Sequence, residues 1–201
     1  RALSFNYPSW SLSVEFVFYL IFPLAFNFWY RRTKLHNIGI IVLSIWIISQ
    51  IVFHYFYYSS FYTGFPSKSH DILYYMPLMH LSQFLLGNLV GLYFLKYKEK
   101  LKNSDSIVII TLFVLMLVAL KYPFGMNFHN GLLSLLFIPF IVLLSSSDGV
   151  LSKIFAKPTL VLLGEISYGI YILQVPVFSF SYDILKIIGI SNETASFYVS
   201  L

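Results

Sequence analysis

Long apolar runs, separated by short polar or basic segments, make up almost the whole chain. Residues 11–30, 37–58, 72–93, 106–120, 131–144 and 159–182 each read as an apolar helix, and a seventh run opens near residue 192. At a rise of ~1.5 Å per residue, runs of about 20 residues reach across the ~30 Å hydrocarbon core of a bilayer. A transmembrane barrel would need ~10-residue segments of alternating polarity. The run Ile107-Val-Ile-Ile-Thr-Leu-Phe-Val-Leu-Met-Leu-Val-Ala-Leu120 does not alternate. The pattern therefore predicts an all-α, polytopic helical bundle: six complete transmembrane helices and the start of a seventh. It predicts one membrane domain over residues 1–201, truncated at both ends, because the chain begins at Arg1 and stops at Leu201 inside an apolar run. Pro23 deprives the Tyr19 carbonyl of its helical donor, so a kink is expected near Tyr19. Pro139 interrupts the fifth run and Pro176 lies inside the sixth. An amphipathic piece carrying Lys153 and Lys157 follows the linker Ser145-Ser-Ser-Asp-Gly149.

Composition agrees. The chain is 58% hydrophobic and only 10% charged, with a mean hydropathy of +0.78, against about 25% charged residues in soluble domains. Cysteine is absent, which excludes disulfides, thiolate zinc sites and a cysteine nucleophile. The net charge of +5 does not point to nucleic acid, because in a membrane chain basic residues sit in loops and set orientation. Arg31, Arg32 and Lys34, then Lys96, Lys98, Lys100 and Lys102, then Lys153 and Lys157 fall in alternate loops. Arg1, Lys68, Lys121 and Lys186 fall on the other side. The positive-inside rule places the richer set in the cytoplasm.

The polar residues within these runs are the candidates for chemistry. Glu15 lies in the outer half of the first run, between Trp10 and Trp29, which are roughly 28 Å apart along a helix and suit the two interfaces. Ser11, Glu15 and Tyr19 share one helix face. An intramembrane carboxylate is either a snorkelling side chain held by neighbouring hydroxyls or a general acid or base with a pKa raised by desolvation. His80, Gln83, Gly87 and Gly91 form a stripe on the third run. Its G-x-x-x-G pattern permits close helix packing, and His80 and Gln83 either pack or line a polar pocket. On the sixth run Ser167, Tyr168, Tyr171 and Gln174 make a polar seam, while Glu165 is expected to snorkel at the cytoplasmic end. His36, His54, His70, His80 and His129 read as scattered over both membrane faces, and no H-x-x-x-H pair exists for a metal. No P-loop, G-x-G-x-x-G or G-x-S-x-G motif is present. Asn192-Glu-Thr194 matches a glycosylation sequon, a pattern common by chance.

Three of these stretches resemble the acyltransferase-3 family of integral membrane acyltransferases. Trp10-Ser-Leu-Ser-Val-Glu15 with Phe18-Tyr19-Leu20 and Pro23-Leu24 is similar to the family's W-S-L-S-V-E…F-Y-L…P-L signature. His80-Leu-Ser-Gln-Phe-Leu-Leu-Gly87 resembles its R-x-x-E-F-L-x-G helix. Leu163-Gly-Glu-Ile-Ser-Tyr-Gly-Ile-Tyr-Ile-Leu-Gln-Val-Pro176 resembles its L-G-x-I-S-Y-x-x-Y-L-x-H-x-P helix. The resemblance implies a donor of acetyl-CoA or another acyl-CoA, no metal, and a hydroxyl on a cell-surface or lipid-linked carbohydrate as acceptor. It implies residence in a bacterial inner membrane, and it places the principal catalytic histidine before Arg1. Glu15 is then the catalytic carboxylate, supported by Ser11 and Tyr19; Trp10, His80, Gln83, Tyr168 and Gln174 are the candidate substrate contacts. The chain departs from the pattern where His80 replaces an arginine, Gln83 an acid and Gln174 a histidine. Glutamine cannot shuttle a proton, so those positions imply either a different acceptor or a degenerate member. Kinked helices with a polar seam equally suit a polytopic glycan transporter or export protein.

Overall fold

The structure is a computed structural model and describes residues 7–101 and 106–187. Its elements are helical throughout the described residues, with short 3-10 and π turns beside the α-helices. They are α1 (Trp10–Ala25), α2 (Leu35–Tyr58), α3 (Lys68–Tyr75), α4 (Pro77–Tyr97), α5 (Ser106–Lys121), α6 (Ser134–Ser146), α7 (Val150–Phe155) and α8 (Pro158–Ile187). In hydrocarbon every backbone N–H and C=O must be satisfied locally, which a helix does within one segment. Four stretches are long and apolar enough to cross a membrane: Trp10–Tyr30, Leu35–Tyr58, Lys68–Tyr97 and Pro158–Tyr182. α5 and α6 are equally apolar but shorter, so among the described residues four stretches reach spanning length. The seventh run and the sequon lie outside the described residues.

The first helix is α from Trp10 to Ala25 with Pro23 inside it, and it closes in a π-helical turn over Phe26–Tyr30. The expected single third span is two helices. Met76 is extended (φ −72°, ψ 126°) and Pro77 opens α4 at its first position, where a missing N–H costs nothing. The break leaves the last carbonyls of α3 without helical donors.

The chain divides into two compact units, Val14–Phe155 and the remainder. In the larger unit α2 packs on α4. Ile38, Val42, Trp46, Gln50 and Phe53 recur at helical spacing on α2 and are all buried. They meet Ser82, Leu85, Leu86 and Leu89 of α4, with Tyr30 closing the core at one end. Gly87 and Gly91 lie on the other side of α4. A Cβ at either would meet nothing within 4 Å, so among the described residues they pack no helix, and the small residue used for close approach is Gly39 of α2, against Tyr93. α5 pairs with α6. In the smaller unit α8 packs on the Tyr7–Ser9 turn and buries none of its spanning window.

Candidate functional site

Where α2 ends and α3 begins, the segment between α5 and α6 leaves helical form and enters the cleft between α2 and α4. Non-helical backbone buried in protein must find partners for its N–H and C=O groups. Here three consecutive carbonyls each accept from a side chain on a core helix. Gln83 Nε2 donates to His129 O at 3.2 Å, Gln50 Nε2 to Asn130 O at 2.6 Å, and Trp46 Nε1 to Gly131 O at 3.4 Å. Asn130, 1% exposed, returns two hydrogen bonds from Nδ2 to the carbonyl and hydroxyl of Ser49, and Ser82 Oγ donates to the same hydroxyl at 3.1 Å. Gly131 sits at φ 80°, where an added Cβ would overlap the Gln83 side chain.

The histidines converge here. The Tyr74 carbonyl, left over by the break after α3, accepts from His80 Nε2 at 3.0 Å and from His129 Nε2 at 2.9 Å. Each imidazole must carry its proton on Nε2 to do so. Gln83 Nε2, 3.5 Å from His80 Nδ1, fits that tautomer. His54 has the opposite one: Nδ1 donates to Gln50 O at 2.9 Å and Nε2 accepts from the Asn127 amide at 3.3 Å. Asn127 Oδ1 accepts from His129 N, closing the turn, and its Nδ2 donates to the Tyr74 hydroxyl. Aromatic faces complete the cluster. Tyr74 lies 4.4 Å from His129 and 4.2 Å from His70, and the His80 and His129 rings meet edge to face at 5.3 Å. His70 links the hydroxyls of Tyr62 and Tyr75. Burial pushes the His129 imidazole below the ordinary histidine range, the hydrogen bond to Tyr74 opposing it.

The histidines are therefore not scattered. His54, His70, His80 and His129 gather at one end of the larger unit, and only His36, at the start of α2, is apart. Helical spacing assigned His80 and Gln83 to one stripe, and both do enter this cluster. Gln50, His54, Tyr74, Asn127, His129 and Asn130 were not singled out. The available signal was Ser49, Gln50 and His54 inside an apolar run, opposite a loop rich in His, Asn and Gly. Three buried oxygens, Gln50 Oε1, Asn130 Oδ1 and Ser134 Oγ, have no protein donor among the described residues. No group of three His, Asp or Glu among those residues is placed to hold a metal.

The remaining predicted residues belong to α1 and α8. Glu15 is half-buried on α1, and Tyr19, one turn on, is 70% exposed. Ser11 Oγ donates to its own turn, at Pro8 O, 3.1 Å. Trp10 is half-buried, while Tyr168 and Gln174 are exposed on α8.

Helices of this length and hydropathy, with irregular backbone buried among side-chain donors, define a multi-pass membrane protein. The model of the acyltransferase-3 family, an acyltransferase domain, matches residues 2–201, and the chain belongs to that family. It is 30% identical over 175 residues to ORF330 of Acidianus two-tailed virus, named as a candidate acetyltransferase, covering 84% of this chain and 48% of the relative. It is 30% identical over 200 residues to peptidoglycan O-acetyltransferase OatA of Listeria monocytogenes (92% and 31% covered). It is 27% identical over 184 residues to O-acetyltransferase OatA of Staphylococcus aureus (85% and 29% covered). The chain thus spans about half or less of the length of these relatives. No solved structure matches it.

Proposed function

We propose that the full-length protein is an O-acyltransferase that moves an acyl group, most simply acetyl, from acyl-CoA to a hydroxyl of a cell-surface or lipid-linked carbohydrate. The observation that carries this reading is the family match over residues 2–201, which takes in the Trp10-Ser-Leu-Ser-Val-Glu15 stretch. In the transfer the acceptor oxygen attacks the thioester carbonyl carbon and the carbon–sulfur bond breaks. The hydroxyl proton goes to a base and then to the departing thiolate. Glu15 is the carboxylate we assign to that proton path, taking the proton or orienting the group that takes it. His80 and His129 each donate Nε2–H to the Tyr74 carbonyl, which fixes the orientation of both rings in the cleft.

The same reading takes α5 and α6 as further crossings completing a six-helix set, in a bacterial inner membrane with the lysine-rich loops in the cytoplasm. Glu15→Gln in the full-length protein tests it directly. Transfer of label from acetyl-CoA to envelope carbohydrate should fall by roughly 100-fold or more, the scale of a lost acid–base group, with membrane insertion unchanged. Wild-type transfer in that variant would remove Glu15 from the mechanism. No transfer by the wild-type protein would favour the glycan-export alternative.

A further inference from the structure

Below the loop network, a cavity of about 470 Å³ lies between α2, α4 and α6. Its wall is almost wholly apolar. Leu86, Leu89, Tyr93 and Tyr97 line it from α4, at the spacing of one helix face, opposite Leu135 and Ile138 of α6. Leu86 to Tyr97 spans about 16 Å of helix axis, close to half the ~30 Å hydrocarbon core, so the groove is one leaflet deep. It runs from the middle of α4, beside Trp46 and Ser134, to the end of that helix.

The end of the groove at Tyr97 is basic. Lys96 and Lys98 are exposed there, and the Lys96 ammonium stands 5.3 Å from the ring of Tyr97, which lines the groove mouth. Arg31, Arg32 and Lys34 precede α2, whose first turns meet the same end of α4 through Gly39 and Tyr93. Glu99 is the carboxylate in that turn. An apolar slot one leaflet deep with ammonium groups at its mouth matches a single kind of molecule in a bilayer. It fits a hydrocarbon chain carrying an anionic headgroup at the lysine-bearing surface. A second helix is too wide at ~10 Å across for a slot of this volume, and a neutral lipid would make no use of the lysines.

We propose that this groove holds one acyl chain of an anionic phospholipid from the leaflet at the lysine-bearing end, with its phosphate at Lys96 and Lys98. The site is separate from Glu15 and does not depend on the acyl-transfer reading. The test uses the full-length protein in native membranes with a photo-crosslinking benzoylphenylalanine at Val90, on the groove wall. Mass analysis should find an anionic phospholipid joined at that position. A peptide, an acyl-CoA or a zwitterionic lipid joined there, or no adduct, would overturn the proposal. In parallel, Leu135→Trp fills the slot from its α6 edge, where Leu135 is 61% exposed. Native mass spectrometry should show several-fold less retained anionic phospholipid, and Lys96→Ala with Lys98→Ala should lower it as well. Retention equal to wild type in Leu135→Trp would refute chain insertion, and in the double lysine variant would refute the headgroup contact.

Discussion

At the residue scale, Gly131 and His129 decide how the loop enters the cleft. Gly131 is held at φ 80° with the Gln83 side chain against the place a Cβ would occupy. Gly131→Ala therefore meets two costs together, a left-handed backbone that disfavours a side chain and a steric overlap. It should lower stability by about 1–3 kcal/mol, seen as a lower midpoint in thermal unfolding of the purified full-length protein; an unchanged midpoint would contradict the loop placement. His129 makes the network pH-sensitive. Its folded pKa lies below that of an unfolded histidine, about 6.5, so the unfolded chain binds the extra proton first. Its contribution to stability is complete above that pH and declines as pH falls from about 6.5 towards the folded value. Unfolding midpoints measured from pH 7.5 to pH 5 should drop on the acid side, and the drop should be smaller in His129→Gln. An equal drop in the variant would assign the effect to other groups.

At the scale of elements, α2 and α4 behave as a frame and the segment between α5 and α6 as its filling. The frame follows from periodicity: Ile38, Val42 and Trp46 mark one face of α2 as clearly as Leu85, Leu86 and Leu89 mark one of α4. The filling depends on side-chain donors from that frame. Removing one leaves a carbonyl buried without a partner, which costs about 1–3 kcal/mol. Gln50→Leu should show a larger loss than Gln83→Leu, because Gln50 donates at 2.6 Å and is buried, whereas Gln83 is half-buried and donates at 3.2 Å. Equilibrium unfolding of both variants checks the order; a neutral Gln50→Leu would mean that another group holds Asn130. Among the described residues the G-x-x-x-G pattern marks no packing face, because it names small residues without saying which side of the helix meets a neighbour. The packing side was set by the larger Leu85, Leu86 and Leu89.

For the whole molecule, the testable quantity is which end of the larger unit faces which side of the membrane. α4 ends at Tyr97, next to exposed Lys98, and α5 leads back to the loop bearing Phe124, 79% exposed. The sequence contains no cysteine, so single cysteines introduced here can be read cleanly once any elsewhere in the full-length protein are replaced. Phe124→Cys should react with an impermeant thiol reagent in intact cells, and Lys98→Cys only after permeabilisation. The reverse pattern would invert the orientation derived from the basic loops.

The sequence by itself determined the class of fold, the composition of each apolar helix and the family. Those depend on local hydropathy, helical period and short motifs, all of which are written along one strand of chain. It placed Glu15 on the first helix and grouped His80 with Gln83. Tertiary structure alone decided the gathering of His54, His80 and His129 and the insertion of residues 127–131. Both depend on backbone groups finding side-chain partners from distant elements. The Tyr74 carbonyl is met by His129, 55 residues on, and the Asn130 carbonyl by Gln50, 80 residues back. Periodicity carries no information about such pairings, because the partners share a cleft but no segment of the chain.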